Sequence, residues 1–194
     1  LYYFGTGSTL ATRQIAMAGT TGGAFIYSSG SGPLALNAGV TATGAGNKTL
    51  TLDGNNRGAN TVGAIGQNGT TAVTKTGIGT WDLNGANTYT GVTTVSNGIL
   101  RMSGTMAGSG AINVNAGTLQ LGASGALNPA SVVTVNATGA GVSSVFDVNN
   151  FNQTLSSTLA LGGTTTTSYP VVTMGSGTLT LTNGTTAISY PGTN

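Results

Sequence analysis

Three aspartates, Asp53, Asp82 and Asp147, are the only carboxylate side chains, and the sequence has no Glu, His or Cys. Enzymes that cleave polysaccharides need two such groups close together, one as an acid and one as a base or nucleophile. The aspartates are widely separated along the chain, which predicts that they lie on different turns of a repeating fold. A serine or threonine nucleophile would also lack a histidine partner. The sequence therefore argues against an enzyme.

Lysines offer a second route to catalysis. Lys48 and Lys75 would become nucleophiles only if burial lowered their pKa. The surrounding Thr- and Gly-rich sequence predicts exposed lysines instead. We therefore assign neither of them a catalytic role.

The segment Asp53-Gly54-Asn55-Asn56 concentrates oxygen ligands but has only one carboxylate, whereas calcium sites in proteins normally use several. It is predicted to be an Asx-rich turn, and we predict no metal or cofactor. Trp81 lies within an alternating strand pattern, so we assign it to the core and not to a sugar-binding platform. Tyr2-Tyr3-Phe4 is the other aromatic cluster.

Charged residues make up 4% of the 194-residue chain, and the net charge is +2. The sequence pI of about 9.2 thus reflects a scarcity of acid and not a basic surface, which argues against nucleic acid as a partner. No apolar run is long enough to cross a bilayer as a helix, so no transmembrane helix is predicted. The chain starts at Leu1 without a recognisable signal sequence, which suggests a mature or excised segment.

The elements that must position these side chains repeat. Three similar segments begin at a constant interval of 19 residues. They are Gly79-Thr80-Trp81-Asp82-Leu83, Gly98-Ile99-Leu100-Arg101-Met102 and Gly117-Thr118-Leu119-Gln120-Leu121. Apolar and polar residues alternate in each segment, which predicts strands that bury one face. Because the period is constant, the strands should stack in register. Asp82 and Arg101 would then be outward neighbours, and Leu100 would lie inside between Trp81 and Leu119.

A second series precedes these glycines, at Val95-Ser96-Asn97, Val114-Asn115-Ala116 and Val135-Asn136-Ala137, with intervals of 19 and then 21. Ala126 to Pro129 lies in the longer interval and is predicted to be a loop insertion. Two looser pairs extend the pattern: Leu34-Ala35-Leu36 with Leu50-Thr51-Leu52, and Leu159-Ala160-Leu161 with Leu179-Thr180-Leu181.

These spacings predict an all-β fold, a parallel β-helix or β-solenoid with three-sided coils of about 19–21 residues. Residues 1–194 would form one solenoid domain. The alternative is a β-sandwich whose strands end in Asn-Gly hairpin turns, a fold that does not require equal periods.

Residues 79–100, and Asn87-Thr88-Tyr89-Thr90-Gly91 above all, closely resemble the passenger-associated β-strand repeat of bacterial autotransporter-like and other large surface proteins. Residues 101–122 resemble it more weakly. The resemblance implies a right-handed parallel β-helix that is exported and displayed at the cell surface or outside the cell.

We therefore expect a non-catalytic structural protein, such as a stalk, a spacer or the subunit of a self-assembling fibre. The alternative is an adhesin whose loops, for example Gly122 to Ala130 or Asn55 to Asn68, bind a host molecule or glycan. Ice binding is a third possibility, because threonine rows on a solenoid can bind ice. The outward series Asp82, Arg101, Gln120 is not such a row.

The two ends of the chain carry few charges. Leu1, Tyr2, Tyr3 and Phe4 at one end, and Ile188 and Tyr190 at the other, are predicted to form an assembly interface. Residues 1–10 would supply an exchanged or docking strand. The partner would be an identical subunit, joined head to tail, or further repeats of a longer chain.

Overall fold

The chain forms a β-solenoid of parallel strands and, within the residues described, has no helix. The computed structural model describes residues 1–163, 167–183 and 188–189, with the last two as backbone only. Among the described residues, all pairs of neighbouring strands are parallel. A β-sandwich built from hairpins would have antiparallel neighbours, so this alternative is excluded. The predicted fold class is confirmed.

Each coil contributes to three faces. The first face is a nine-stranded sheet, composed of β1 (Tyr2–Tyr3), β4 (Gly22–Ser28), β7 (Lys48–Asp53), β9 (Thr71–Lys75), β12 (Thr93–Val95), β15 (Ile112–Val114), β17 (Val133–Ala137), β20 (Leu159–Gly163) and β23 (Ile188–Ser189). The second face is an eight-stranded sheet, composed of β2 (Ser8–Thr9), β5 (Leu34–Leu36), β8 (Asn60–Val62), β10 (Thr80–Leu83), β13 (Ile99–Met102), β16 (Gly117–Leu121), β18 (Ser143–Asp147) and β21 (Tyr169–Thr173).

The third face is built from shorter pairs of strands. These are β3 (Ile15–Met17) with β6 (Val40–Ala42), β11 (Ala86–Asn87) with β14 (Thr105–Met106), and β19 (Gln153–Leu155) with β22 (Leu179–Leu181). An isolated bridge between Val40 and Ile65 continues this face between the first two pairs.

The coil length is constant only in the middle of the solenoid. Trp81 pairs with Leu100 at the predicted interval of 19, and the next coils of the first sheet stay close to that length. Towards the ends the coils are clearly longer, as the pairing of Ala24 with Leu50 and of Leu159 with Ile188 shows. The predicted period of about 19–21 residues is therefore right for the central coils and wrong for the outer ones.

The core consists of inward side chains that stack in columns along the axis. Trp81, Leu100, Leu119 and Phe146 occupy equivalent positions on successive strands of the second sheet, and all four are fully buried. Leu83, Met102 and Leu121 form a parallel column two positions later. One buried cluster runs from Met17 to Leu159. The central register and core column predicted from the sequence are confirmed.

The looser Leu-x-Leu pairs are not equivalent strands. Leu34–Leu36 belongs to the second sheet, whereas Leu50–Leu52 lies in the first, within β7. Leu159–Leu161 lies in the first sheet and Leu179–Leu181 on the third face. Both pairings are wrong, because an alternating apolar pattern shows which side chains point inward but not which face the strand joins.

Ala126 to Pro129 is also not simply a loop insertion. Ala126 and Leu127 are buried, and the amide of Met106 donates a hydrogen bond of 2.9 Å to the carbonyl of Ala126. The segment therefore continues the third face after β14 and fills the core of its coil.

Candidate functional site

A polar row crosses the outer surface of the second sheet. The strand register aligns Asp82 with Arg101, Arg101 with Gln120 and Gln120 with Asp147. Arg101 Nε lies 4.0 Å from Asp82 Oδ2, and Gln120 Nε2 donates to Asp147 Oδ2 at 2.9 Å. The row is the structural counterpart of the predicted neighbours Asp82 and Arg101.

The two carboxylates of this row have other partners as well. Ser103 donates its hydroxyl to Asp82 Oδ2 at 2.8 Å and its amide to Oδ1 at 3.2 Å, while Thr173 donates to Asp147 Oδ1 at 2.8 Å. Three strand spacings separate Asp82 from Asp147, roughly 14 Å, which is beyond the roughly 5–9.5 Å between the carboxyl groups of glycosidases. Asp53 lies on β7 of the other sheet. The structure does not bring the three aspartates together.

The two lysines are buried, contrary to the sequence prediction. Lys75 is fully buried in an inward column between Leu52 and Val95. Its ammonium group donates to the carbonyls of Thr76, Gly77 and Asn97, the last two at 2.8 and 3.2 Å. Burial lowers the pKa of Lys75 from 10.5 to about 8, against the opposing effect of the negative charge on Asp53.

Lys48 uses the same device one coil earlier. It is 3% exposed, and its ammonium group donates to the carbonyls of Gly44, Ala45 and Gly46, the last two at 3.2 and 3.3 Å. Both lysines thus close a turn by satisfying its carbonyl groups. Because these hydrogen bonds satisfy the ammonium groups, the two charged side chains can be buried inside a solenoid that has few charged residues.

Buried amide side chains perform a similar task, and sequence reasoning missed them. Asn60 Oδ1 accepts from the hydroxyl of Ser28 and the amide of Leu34, and its Nδ2 donates to the carbonyl of Thr80 at 2.8 Å. Gln153 both donates to and accepts from the backbone of Leu127. The available signal was an Asn or Gln at an inward position of a strand, where the alternation predicts an apolar residue.

Asn56, in the predicted Asx-rich turn, holds neighbouring backbone in place. Its Nδ2 donates to the carbonyls of Gly30 and Gly32, at 2.6 and 2.9 Å, and its Oδ1 accepts from the amide of Gly58. The amide therefore links two successive coils. No group of three or more His, Cys, Asp or Glu side chains that could hold a metal ion occurs among the described residues.

The segment Asn87 to Gly91 turns two of its side chains inward. Asn87 accepts from the amide of Ile65 at 3.0 Å, and the hydroxyl of Tyr89 lies 2.8 Å from that of Thr93. Tyr89 is fully buried, and this burial raises its pKa to about 12. These residues therefore close the coil between the third face and the first sheet.

An aromatic surface covers the start of the first sheet. It consists of Tyr2, Phe4, Phe25 and Tyr27, whose rings lie 5.5 to 6.4 Å apart between centroids. Tyr2 and Phe4 are 67% and 69% exposed, and Phe25 is 39% exposed. Tyr3 points the other way and packs against the core.

The predicted assembly residues lie at both ends of the first sheet. Tyr2 and Tyr3 pair with Tyr27 and Ser28 of the same chain, and the amino group of Leu1 donates to the carbonyl of Phe25 at 2.7 Å. Ile188 pairs through its backbone with Leu159, and Tyr190 lies outside the described residues. An assembly role for these residues stays a prediction.

A threonine row extends from the aromatic surface along the first sheet. Phe25 aligns with Thr51, Thr51 with Thr74, and Thr74 with Thr94. Asn113 interrupts the row before Thr134 continues it. The sequence alone does not reveal this row, because these strands of the first sheet follow one another at unequal intervals and share no common motif.

The loops proposed for an adhesin are only partly surface segments. The range 55–68 contains strand β8 and the buried residues Asn56, Asn60, Val62 and Ile65. The range 122–130 contains the buried residues Ala126 and Leu127. Neither range is a free loop along its whole length.

The model of the passenger-associated-transport-repeat family matches residues 73–102 and 98–121. Searches of the curated proteins and of the solved structures found no match. Among the described residues, no helix has the length and apolar character needed to cross a membrane. Residues 73–121 therefore match the model of the passenger-associated transport repeat, as the sequence resemblance predicted, and this match within a β-solenoid fits a passenger-type surface protein.

Proposed function

We propose that this chain is a non-catalytic, extracellular structural protein, a β-solenoid stalk or fibre subunit of a bacterial surface. The observation that carries the proposal is the continuous inward column Trp81, Leu100, Leu119, Phe146. In such a column each coil buries its apolar face against its neighbours, so adding coils lengthens the molecule without changing its cross-section. A protein of this kind holds another element at a distance from the cell.

The polar groups support the non-catalytic part of the proposal. Asp82 and Asp147 accept hydrogen bonds from Ser103, Gln120 and Thr173, and their separation does not suit a carboxylate pair. Lys75 is occupied by turn carbonyls. These side chains are used to hold successive coils together.

The extracellular location is supported by the matched repeat, which is associated with secreted passenger domains. Brief protease treatment of intact cells that produce the native protein tests it. We expect cleavage without cell lysis, whereas protection until lysis would reject the surface location.

Further coils of a longer chain, or identical subunits joined head to tail, would extend the stalk. An apolar cavity of about 270 Å³ in the last coils, lined by side chains that include Leu161, Val172 and Leu179, supports stacking at this end. At the other end, Leu1 and Phe4 are exposed. Electron microscopy at increasing protein concentration distinguishes a fibre of identical subunits from a monomeric stalk. Fibres lengthen with concentration, whereas a monomeric stalk does not.

The structural role itself is tested by adding coils. Residues 98–116 form one coil, and inserting three extra copies of them after Ala116 should lengthen the rod by about 14 Å, because each coil adds about 4.8 Å. The control inserts a Gly-Ser sequence of the same length at the same point. Small-angle X-ray scattering should show a longer rod for the first variant only. A rod no longer in the first variant than in the unmodified chain would reject the modular stalk.

A further inference from the structure

The aromatic surface of Tyr2, Phe4, Phe25 and Tyr27 is not required by the core. Phe25 and Tyr27 alternate along β4 with Ile26 and Ser28, which are buried on the inward side. The rings of Phe25 and Tyr27 are nearly parallel, with an interplanar angle of 13°. The centroid of the Tyr2 ring lies within 5.9 Å of the centroids of both rings. Clustered exposed apolar side chains of this kind mark interaction sites on proteins.

The charges near these rings indicate a neutral partner. The strand register places Thr51 beside Phe25 and Asp53 beside Tyr27, whereas Lys48, beside Gly22, is buried on the inward side. The amino group of Leu1 is held by the carbonyl of Phe25. The ammonium group of Leu1 and the carboxylate of Asp53 carry opposite charges, so this surface has no net charge that would favour an anionic or a cationic polymer.

The threonine row supplies the second observation. Thr51, Thr74 and Thr94 continue from Phe25 at successive strands, so their hydroxyl groups lie about 4.8 Å apart along the axis. Within the described part of the chain, none of these three hydroxyls has a hydrogen-bond partner in the protein. The aromatic surface thus leads directly into a line of free hydroxyl groups on the same face of the solenoid.

We propose that this face binds an uncharged polysaccharide chain lying along the solenoid axis. The aromatic rings would stack on the C–H faces of the sugar rings, and the row of threonine hydroxyls would exchange hydrogen bonds with the hydroxyl groups of the sugars. A chain of sugars needs both kinds of contact, repeated along one direction. This binding function is additional to the structural role and does not depend on it.

Affinity electrophoresis tests the proposal with the intact chain in gels that contain one polysaccharide each. The neutral probes are hydroxyethyl cellulose, xylan, mannan and galactan, and the anionic probes are alginate and polygalacturonate. We expect at least one neutral probe to retard the protein and the anionic probes to leave it unaffected. No retardation by any neutral probe, or retardation by anionic probes alone, would overturn the proposal.

Three variants locate the binding site. Phe25→Ser should weaken binding by roughly tenfold or more, as expected for an aromatic anchor, and Thr74→Val should weaken it a few-fold by removing one hydroxyl. Tyr169→Ser removes an aromatic side chain that is 58% exposed and lies on β21 of the second sheet, away from the proposed site, and it should have no effect. Unchanged binding in Phe25→Ser with a normal melting temperature would contradict the proposal. If sedimentation equilibrium shows that the chain dimerises, and Phe25→Ser abolishes only the dimer, the occupant of the aromatic surface is a second copy of the chain instead.

Discussion

Asp82 and Arg101 are register partners on adjacent parallel strands, but their environments differ. The Arg101 side chain is 38% exposed, whereas that of Asp82 is 11% exposed and also accepts two hydrogen bonds from Ser103. The ion pair is therefore half solvated, and Asp82 depends more on Ser103 than on Arg101.

Replacing each member of this pair separates the two contributions. Arg101→Ala should lower the free energy of unfolding by at most about 1 kcal/mol, as for other exposed ion pairs. Asp82→Ala should cost more, about 1.5–3 kcal/mol, because charge-assisted hydrogen bonds to Ser103 are lost. Urea denaturation measures both. A larger loss for Arg101→Ala than for Asp82→Ala would contradict this assignment.

The core column is tested at Leu100, which is fully buried between Trp81 and Leu119. Leu100→Ala should lower the free energy of unfolding by about 2–5 kcal/mol, because it leaves a cavity in a close-packed core. Leu100→Asp should prevent folding, since it buries an unpaired charge.

Arg101→Asp is the matched control for the column. It introduces the same side chain one residue away, on the outward side of the strand, where only repulsion by Asp82 opposes it. Circular dichroism and thermal unfolding should show a folded protein. Normal melting of Leu100→Asp would rule out the register.

Lys75 and Tyr89 make the free energy of unfolding depend on pH in opposite directions, each in its own pH range. Between about pH 8 and 10.5 Lys75 is neutral when folded but still protonated when unfolded, so the unfolded state binds more protons and stability rises with pH. Tyr89 keeps its proton to about pH 12 when folded but loses it near pH 10 when unfolded, so stability falls with pH from about 10 to 12.

Urea unfolding at a series of pH values measures both effects. Lys75→Met should remove the rise between pH 8 and 10, and Tyr89→Phe should reduce the fall above pH 10. Persistence of the rise in Lys75→Met would assign it to another group.

Gly98 and Gly125 share a backbone conformation but differ in their surroundings. Their φ angles are +64° and +65°. A Cβ at Gly98 would lie 2.5 Å from the carbonyl oxygens of Gly77 and Gly79, whereas a Cβ at Gly125 would meet nothing within 4 Å. Gly125→Ala should therefore cost only the conformational term of about 1–2 kcal/mol, and Gly98→Ala clearly more. Equal losses in thermal unfolding would show that the coil relaxes at Gly98.

The spacing of residues along the chain is enough to predict the central coils. The constant interval between Gly79, Gly98 and Gly117, combined with strict alternation, was sufficient to predict parallel stacking and the inward position of Trp81 and Leu100. This works because coils without insertions must keep equivalent side chains in phase, so the column appears in the sequence as a constant period.

The outer coils and the buried polar side chains depend on three-dimensional packing that the residue spacing does not show. The longer outer coils keep the strand register, and their extra residues lie in the turns between strands. The constant period is therefore lost from the sequence, although the inward columns of side chains continue. Lys75 was predicted to be exposed, because its burial depends on the carbonyls of Gly77 and Asn97, which the chain brings to its ammonium group only after folding. The threonine row from Thr51 to Thr94 has the same origin, since strand pairing and not sequence spacing aligns it.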